Sequence, residues 1–343
     1  MILDTLTYEQ CVIQGVGPMV FPKRLEQGLD PANSAGMKAV CVHNMQQQVK
    51  ILHTLGMAWE ALTRAGITPV LMKGAGLAAL YPSPEQRAYG DIDLFVGVEQ
   101  YHPACAVMRD TFPNALKFDE ELDHYKHYNL IADGVSIEVH RVTVDLQHPC
   151  DHRRYAKMER FAALHACELV IGNCKLKIFE PTFNALLIML HAWEHMMTQG
   201  ACVRQLCDVS FVLHHYAGQI DAKRLQRYLK SLHLMDVWQL FMYILVHHLD
   251  LKQEEALFYD EAKSLELRAE RLLNDLLEGR LVEPKHTEDA PRGRFARKFF
   301  TMRQRLANAK RIGQYSPAYG RHLIATTLIH GASRLFAKDR HWE

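Results

Sequence analysis

The chain has 343 residues, 48% of them hydrophobic, and a formal net charge of +1, which suits about two globular domains at ~150 residues each and excludes wholesale coating of nucleic acid. Its eight cysteines contain no Cys-x-x-Cys pair, which excludes zinc-ribbon and thioredoxin readings and fits free thiols in a reducing compartment. No basic-then-apolar signal opens the sequence and no run of ~18 apolar residues could span a bilayer, so a cytoplasmic enzyme is expected.

Residues 1–35 read as an irregular segment, broken by Gly15, Gly17, Pro18, Pro22 and Pro31. Helical spacing then places Met45, Val49, Leu52, Leu55, Trp59 and Leu62 on one stripe, with Gly66 as its stop. Ile67 to Met72 reads as a short buried strand, which Pro69 would place at a sheet edge. It delivers the chain to Lys73-Gly74, and a brief helix around Leu77 to Leu80 ends at Tyr81-Pro82.

The next strand, Asp91 to Val96, carries the chemistry. Side chains alternate along a strand, so Asp91 and Asp93 share one face, ~7 Å apart. Ile92, Leu94 and Val96 take the other face and anchor it in a core. Two carboxylates so spaced suit Mg²⁺ or Mn²⁺, which complete their shell with phosphate oxygens and water. A helix from about Glu99 to Asp110 follows.

Tyr128 to Ala132 and Val135 to Val142 then flank Asp133-Gly134, a dipeptide that favours a tight type I′ hairpin. In the second of these strands Ser136, Glu138 and His140 face opposite to Val135, Ile137 and Val139. Glu138 is therefore the candidate third carboxylate, as metal ligand and base. A second hairpin turns at Gly172-Asn173, between Leu169–Ile171 and Leu176–Phe179. From Pro181 the pattern is helical, and Pro181 to Met197 is apolar enough to be a central buried helix. Glu283 to Gly293 is the candidate linker of this half.

The Lys-Gly turn, the short helix ending in Tyr-Pro, Arg87 and then Asp91-Ile92-Asp93-Leu94 resemble the uncharacterised nucleotidyltransferase family of the DNA polymerase β superfamily. The resemblance spans roughly residues 40 to 215 and runs on through Glu138 to the helices holding His191, His195 and Asp208. It implies an α+β fold: a small mixed sheet flanked by helices, carrying three carboxylates and two divalent metals, with an all-helical C-terminal domain. Asp91 and Asp93 then become the metal-binding pair, Glu138 the third carboxylate and Gly74 the phosphate-loop glycine. His191, His195 and Asp208 stand around them as supporting residues.

The expected domains are an irregular segment (1–35), a nucleotidyltransferase-like α/β domain (36–180) and a helical domain (181–343). The superfamily usually has Gly-Ser at the loop where Lys73-Gly74 stands here, so Lys73 is expected to meet the triphosphate as a point charge. Arg87 is a second expected phosphate contact. The implied activity is transfer of NMP from an NTP such as ATP to a hydroxyl or phosphate of a small-molecule or protein acceptor.

Two other readings stand beside it. The altered loop motivates a non-catalytic nucleotide- or partner-binding protein on the same fold. His191-Ala-Trp-Glu194-His195 matches the inverted zinc-protease pattern and would make a zinc hydrolase with Glu194 as base. Arg204 and Asp208, spaced i, i+4, read as a structural pair. From Pro291 to the end the chain carries 12 Lys/Arg against two acids. This basic segment is expected to pack its apolar stripe on the helical domain, beside the acidic Glu254 to Glu278 stretch. Contact with an acidic partner, RNA or an anionic membrane surface is the alternative.

Overall fold

The computed structural model describes the chain except for residues 119–121, 123, 147–148, 199, 282–293 and 337–343. The expected linker at 283–293 lies outside the described residues.

Where an irregular segment was expected, residues 1–35 instead form three short helices, α1 (Ile2–Thr5), α2 (Tyr8–Ile13) and α3 (Gly17–Glu26). Thr7 caps α2 in a reciprocal box with Gln10, and Pro18 stands in the first turn of α3, where its missing N–H costs nothing. Gly15 thus lies between two helices, while Gly17 and Pro18 open α3 and Pro22 stands inside it.

Helix α4 (Ser34–Arg64) follows and ends before Gly66. Its second half buries the expected stripe, with Leu55 and Leu62 in the core and Leu52 and Trp59 packed against it. In its first half Met45 and Val49 are 47% and 70% exposed, while Asn44 and Gln48 are buried. The two amides turn inward because backbone carbonyls await them. Asn44 donates to the Glu85 carbonyl at 2.7 Å, and Gln48 to those of Pro84 and Arg87 at 3.1 and 2.9 Å.

Strands β1 (Val70–Leu71), β2 (Asp91–Phe95), β3 (Leu116–Lys117), β4 (His127–Ala132), β5 (Val135–His140), β6 (Cys167–Ile171) and β7 (Cys174–Ile178) form one mixed sheet in the order β3-β4-β5-β2-β1-β7-β6. Both expected hairpins are present, and Asp133 and Gly134 turn the first with φ of 49° and 77°. β1 is not an edge strand: it pairs antiparallel with β2 and parallel with β7. Pro69 is accommodated because the paired part is only two residues long and begins after it.

Ile92, Leu94, Ile137, Val139, Tyr128 and Leu130 face a core shared with α4 and α6 (Gly97–Thr111). Val70, Phe95 and Phe179 belong to a second core with α8 (Pro181–Met197) and the helices beyond it. Those helices are α9 (Val203–His215), α10 (Ala222–Ser231), α11 (Met235–His248), α12 (Lys263–Leu277), α13 (Arg294–Ile312) and α14 (Pro317–Phe336). Helix α7 (Pro149–Leu164) connects β5 to β6. The sheet is thus covered on both faces, and the carboxylate side faces α8.

The basic segment packs only in part. Ala309, Ile312 and Tyr315 are buried, and Tyr315 donates to Asp275 of α12 at 2.8 Å, whereas Phe299 is 60% exposed. All eight cysteines are free thiols. Among the described residues no helix is long and apolar enough to cross a membrane.

Candidate active site

Parallel pairing of β2 with β5 sets Asp93 opposite Glu138 and Asp91 opposite Ser136. With the period-two alternation, Asp91, Asp93 and Glu138 stand on one face, as the spacing anticipates. Antiparallel pairing of β4 with β5 adds His127 opposite His140 on the same side. Apolar residues on the opposite face fix this register, because a one-residue slip would turn the carboxylates into the core.

Asp93 is fully buried, and its Oδ1 meets two cations. Lys73 Nζ lies at 2.8 Å and His140 Nε2 at 3.0 Å, while Oδ2 has no partner. His140 Nε2 also lies 3.1 Å from Glu138 Oε2, and its Nδ1 3.3 Å from the Val142 carbonyl. Both ring nitrogens face acceptors, an arrangement that favours the protonated ring. Burial opposes that charge, but the hydrogen bonds to Asp93 and Glu138 outweigh it and raise the pKa.

The same contacts set the other groups. Burial pulls the Lys73 ammonium down, and Asp93, Asp91 and Glu138 together more than reverse it. Burial pushes Asp93 up, but Lys73 and His140 hold it well below the carboxylate range. Burial likewise works against Glu138, yet the His140 hydrogen bond keeps it low, which suits a cation ligand better than a base. Asp91 moves the opposite way, raised by the neighbouring Asp93 charge and then by burial.

Gly74 turns between β1 and α5 (Ala75–Ala78) with φ of 53°. A Cβ there would stand 2.9 Å from the Asp91 carbonyl oxygen, so only glycine lets the turn approach this closely.

Arg87, expected as a second phosphate contact, is buried with its guanidinium nitrogens on protein acceptors. It is 3% exposed. Nε and Nη2 form a fork on Asp208 at 2.6 and 2.8 Å, and Nη1 donates to the Gly74 carbonyl at 3.1 Å. Tyr81 donates to the same carboxylate at 2.7 Å. The i, i+4 pairing of Arg204 with Asp208 is present but longer, at 3.5 Å. Asn44 and Gln48 hold the carbonyls around residues 84–87, so α4, Arg87 and α9 together pin the Gly74 turn.

His191 and His195 on α8 stack edge to face with ring centroids 4.4 Å apart. Burial and then the Lys73 charge keep both imidazoles neutral, His195 with a pKa near 4. Glu194 pairs with Lys126 at 3.5 Å. Among the described residues these histidines belong to no group of three metal-ligating side chains, so the zinc-hydrolase reading lacks its third ligand.

The chemistry of the carboxylate donor set fits a hard divalent cation: Asp91, Asp93 and Glu138 share one face, and one oxygen of the fully buried Asp93 is unpartnered. His140 is the residue not singled out by motif, although alternation from Glu138 already sets it on this face. The Arg87–Asp208 fork, 121 positions apart, leaves no local signal.

A family model described as an uncharacterised nucleotidyltransferase matches residues 6–250. No curated protein matches the chain. Among solved structures it is similar to an antigenic nucleotidyltransferase-like protein from Paracoccidioides brasiliensis, with 16% identity and a TM-score of 0.39, covering 65% of this chain and 97% of that one.

Proposed function

The chain belongs to this uncharacterised nucleotidyltransferase family, and we propose that it transfers NMP from an NTP to a hydroxyl or phosphate of a small-molecule or protein acceptor. The observation that carries the reading is the single face of Asp91, Asp93 and Glu138 beside the Lys73-Gly74 turn. Those carboxylates would hold Mg²⁺ or Mn²⁺, which when bound neutralises the triphosphate and stabilises the attacking and leaving oxygens of an in-line displacement.

The protein's own residues do the rest. Lys73, with its pKa raised by the three carboxylates, is a cation at any physiological pH and meets the triphosphate. Gly74 admits the phosphate chain close to the backbone, and Arg87 holds that turn through its carbonyl. The acceptor oxygen attacks the α-phosphorus, one P–O bond forms, and the bond to pyrophosphate breaks. Where the acceptor is a hydroxyl, its proton passes to a carboxylate of this same face. The neutral His191 and His195 offer hydrogen bonds on the α8 side, where the helical region shapes the acceptor's approach.

The test is release of pyrophosphate and labelling of acceptor from α-labelled NTP in the presence of Mg²⁺, across sugars, nucleotides, peptides and proteins. Wild type labels at least one class and Asp93→Asn labels none; equal labelling by Asp93→Asn would remove the assignment. One observation favours a second reading: Lys73 and His140 already meet the Asp93 carboxylate through its other oxygen. NTP binding that ignores Mg²⁺ and gives no turnover would select a non-catalytic nucleotide-binding protein.

A further inference from the structure

The polar face of the sheet continues past the aspartates. His127 and His140 are partners across β4 and β5, so both imidazoles lie on the carboxylate side. One ligand atom from each of His127, Glu138 and His140 lies within 4.8 Å of the others, and no other such trio occurs among the described residues.

Hydrogen bonding accounts for only part of this grouping, through His140 Nε2 and Glu138 Oε2 at 3.1 Å. His127 Nδ1 is buried without a partner, and Glu138 Oε2 is 4.0 Å away, beyond hydrogen-bond range. The Val142 carbonyl accepts from His140 Nδ1, which turns Nε2 toward Glu138. A carbonyl behind the ring is the outer partner that orients a metal-ligating imidazole. Two imidazole nitrogens and one carboxylate oxygen suit a borderline transition metal, whereas Mg²⁺ prefers oxygen alone.

We propose that His127, Glu138 and His140 form a binding site for a divalent transition metal, separate from the hard-cation site at Asp91 and Asp93 and joined to it through Glu138. On binding, His140 gives up its Nε2 proton and the metal takes that proton's place between the imidazole and the carboxylate. The bound charge then stands beside the buried Asp93. This site does not depend on the transferase reading, since its donors are complete without nucleotide.

The test is titration of the full-length protein, stripped by chelator, with Co²⁺ alone. Binding is read by equilibrium dialysis and by hyperfine-shifted imidazole proton resonances. Wild type takes up one Co²⁺ with two shifted imidazole signals. His127→Ala loses one signal and binds at least about tenfold more weakly, while Asp91→Asn keeps both signals. His127→Gln is scored in parallel, so a misfolded alanine variant does not decide the question. Absence of Co²⁺ uptake by wild type, unchanged signals in both His127 variants, or equal loss in Asp91→Asn would each overturn the site.

Discussion

Around Asp208 every strong donor and acceptor is used: two Arg87 nitrogens, the Tyr81 hydroxyl and Arg204 converge on its two oxygens. Around Asp93 two cations crowd one oxygen and the other has none. Both carboxylates are buried and both have pKa values held below the ordinary range by cations. The difference lies in completeness. A buried ion pair with all its valences filled is a clamp, and removing either half strands a charge in low dielectric. A buried cluster with an open valence beside a glycine turn is what the proposed function needs of a receptor.

The largest expected effect breaks the clamp. Asp208→Ala leaves the Arg87 guanidinium buried and unpaired, so urea denaturation should show a loss of about 3–5 kcal/mol. A loss below about 1 kcal/mol would mean that the fork contributes little and that the contrast fails.

A third buried carboxyl sharpens the comparison, because it is satisfied without any fork of cations. Glu159 accepts from the Thr143 N–H and hydroxyl, each at 2.7 Å, and burial raises its pKa from 4.5 to about 7. The folded state therefore holds the proton more tightly than the unfolded chain. The resulting stability is fully present below about pH 4.5 and declines as pH rises toward 7. At ~1.4 kcal/mol per unit, the decline is a few kcal/mol at most. Glu159→Gln should flatten that part of a stability–pH curve, and an unaltered slope would contradict the assignment.

Gly74→Ala tests the link between clamp and receptor. The added Cβ meets the Asp91 carbonyl at 2.9 Å in a backbone at φ of 53°. The cost should be about 1–3 kcal/mol by thermal melt, with weaker nucleotide binding than the stability loss alone explains. Binding that stays at wild-type strength would show that the turn does not meet the phosphates.

The smallest stability effect is expected at the receptor itself. Lys73 is 14% exposed and can turn to water when Asp93 becomes neutral, and repulsion among the carboxylates falls. Asp93→Asn should therefore cost only about 1 kcal/mol, well under Asp208→Ala. A cost equal to that of Asp208→Ala would make Asp93 a structural clamp as well.

The same contrast explains what was legible in the sequence. The site face was readable because strand alternation is local: Asp91, Asp93 and Glu138 follow from a period of two and from the Asp133-Gly134 turn. His140 was readable by the same rule, though no motif pointed to it. The clamp was not, since Arg87 and Asp208 meet only through the tertiary fold. Only the first half of the α4 stripe departs from its sequence pattern, for a related reason. Asn44 and Gln48 look solvent-facing by polarity, yet the carbonyls of residues 84–87 draw them inward and leave Met45 and Val49 outside. Pro69 by itself implies an edge strand, and the sheet instead starts β1 after it and keeps the strand to two residues.

Under the proposed function the open valence at Asp93 belongs to a metal–nucleotide site. Its most direct test is a thermal-shift panel of ATP, GTP, CTP and UTP, each with and without Mg²⁺ or Mn²⁺, on wild type and on the Asp91→Asn/Asp93→Asn double variant. Ligand at about a hundredfold excess over its Kd stabilises the folded state by roughly 2.7 kcal/mol, enough to raise the melting temperature by several degrees. A metal-dependent rise is expected for at least one nucleotide in wild type and none in the double variant. A rise that is independent of metal, or that survives in the double variant, would contradict the proposed function.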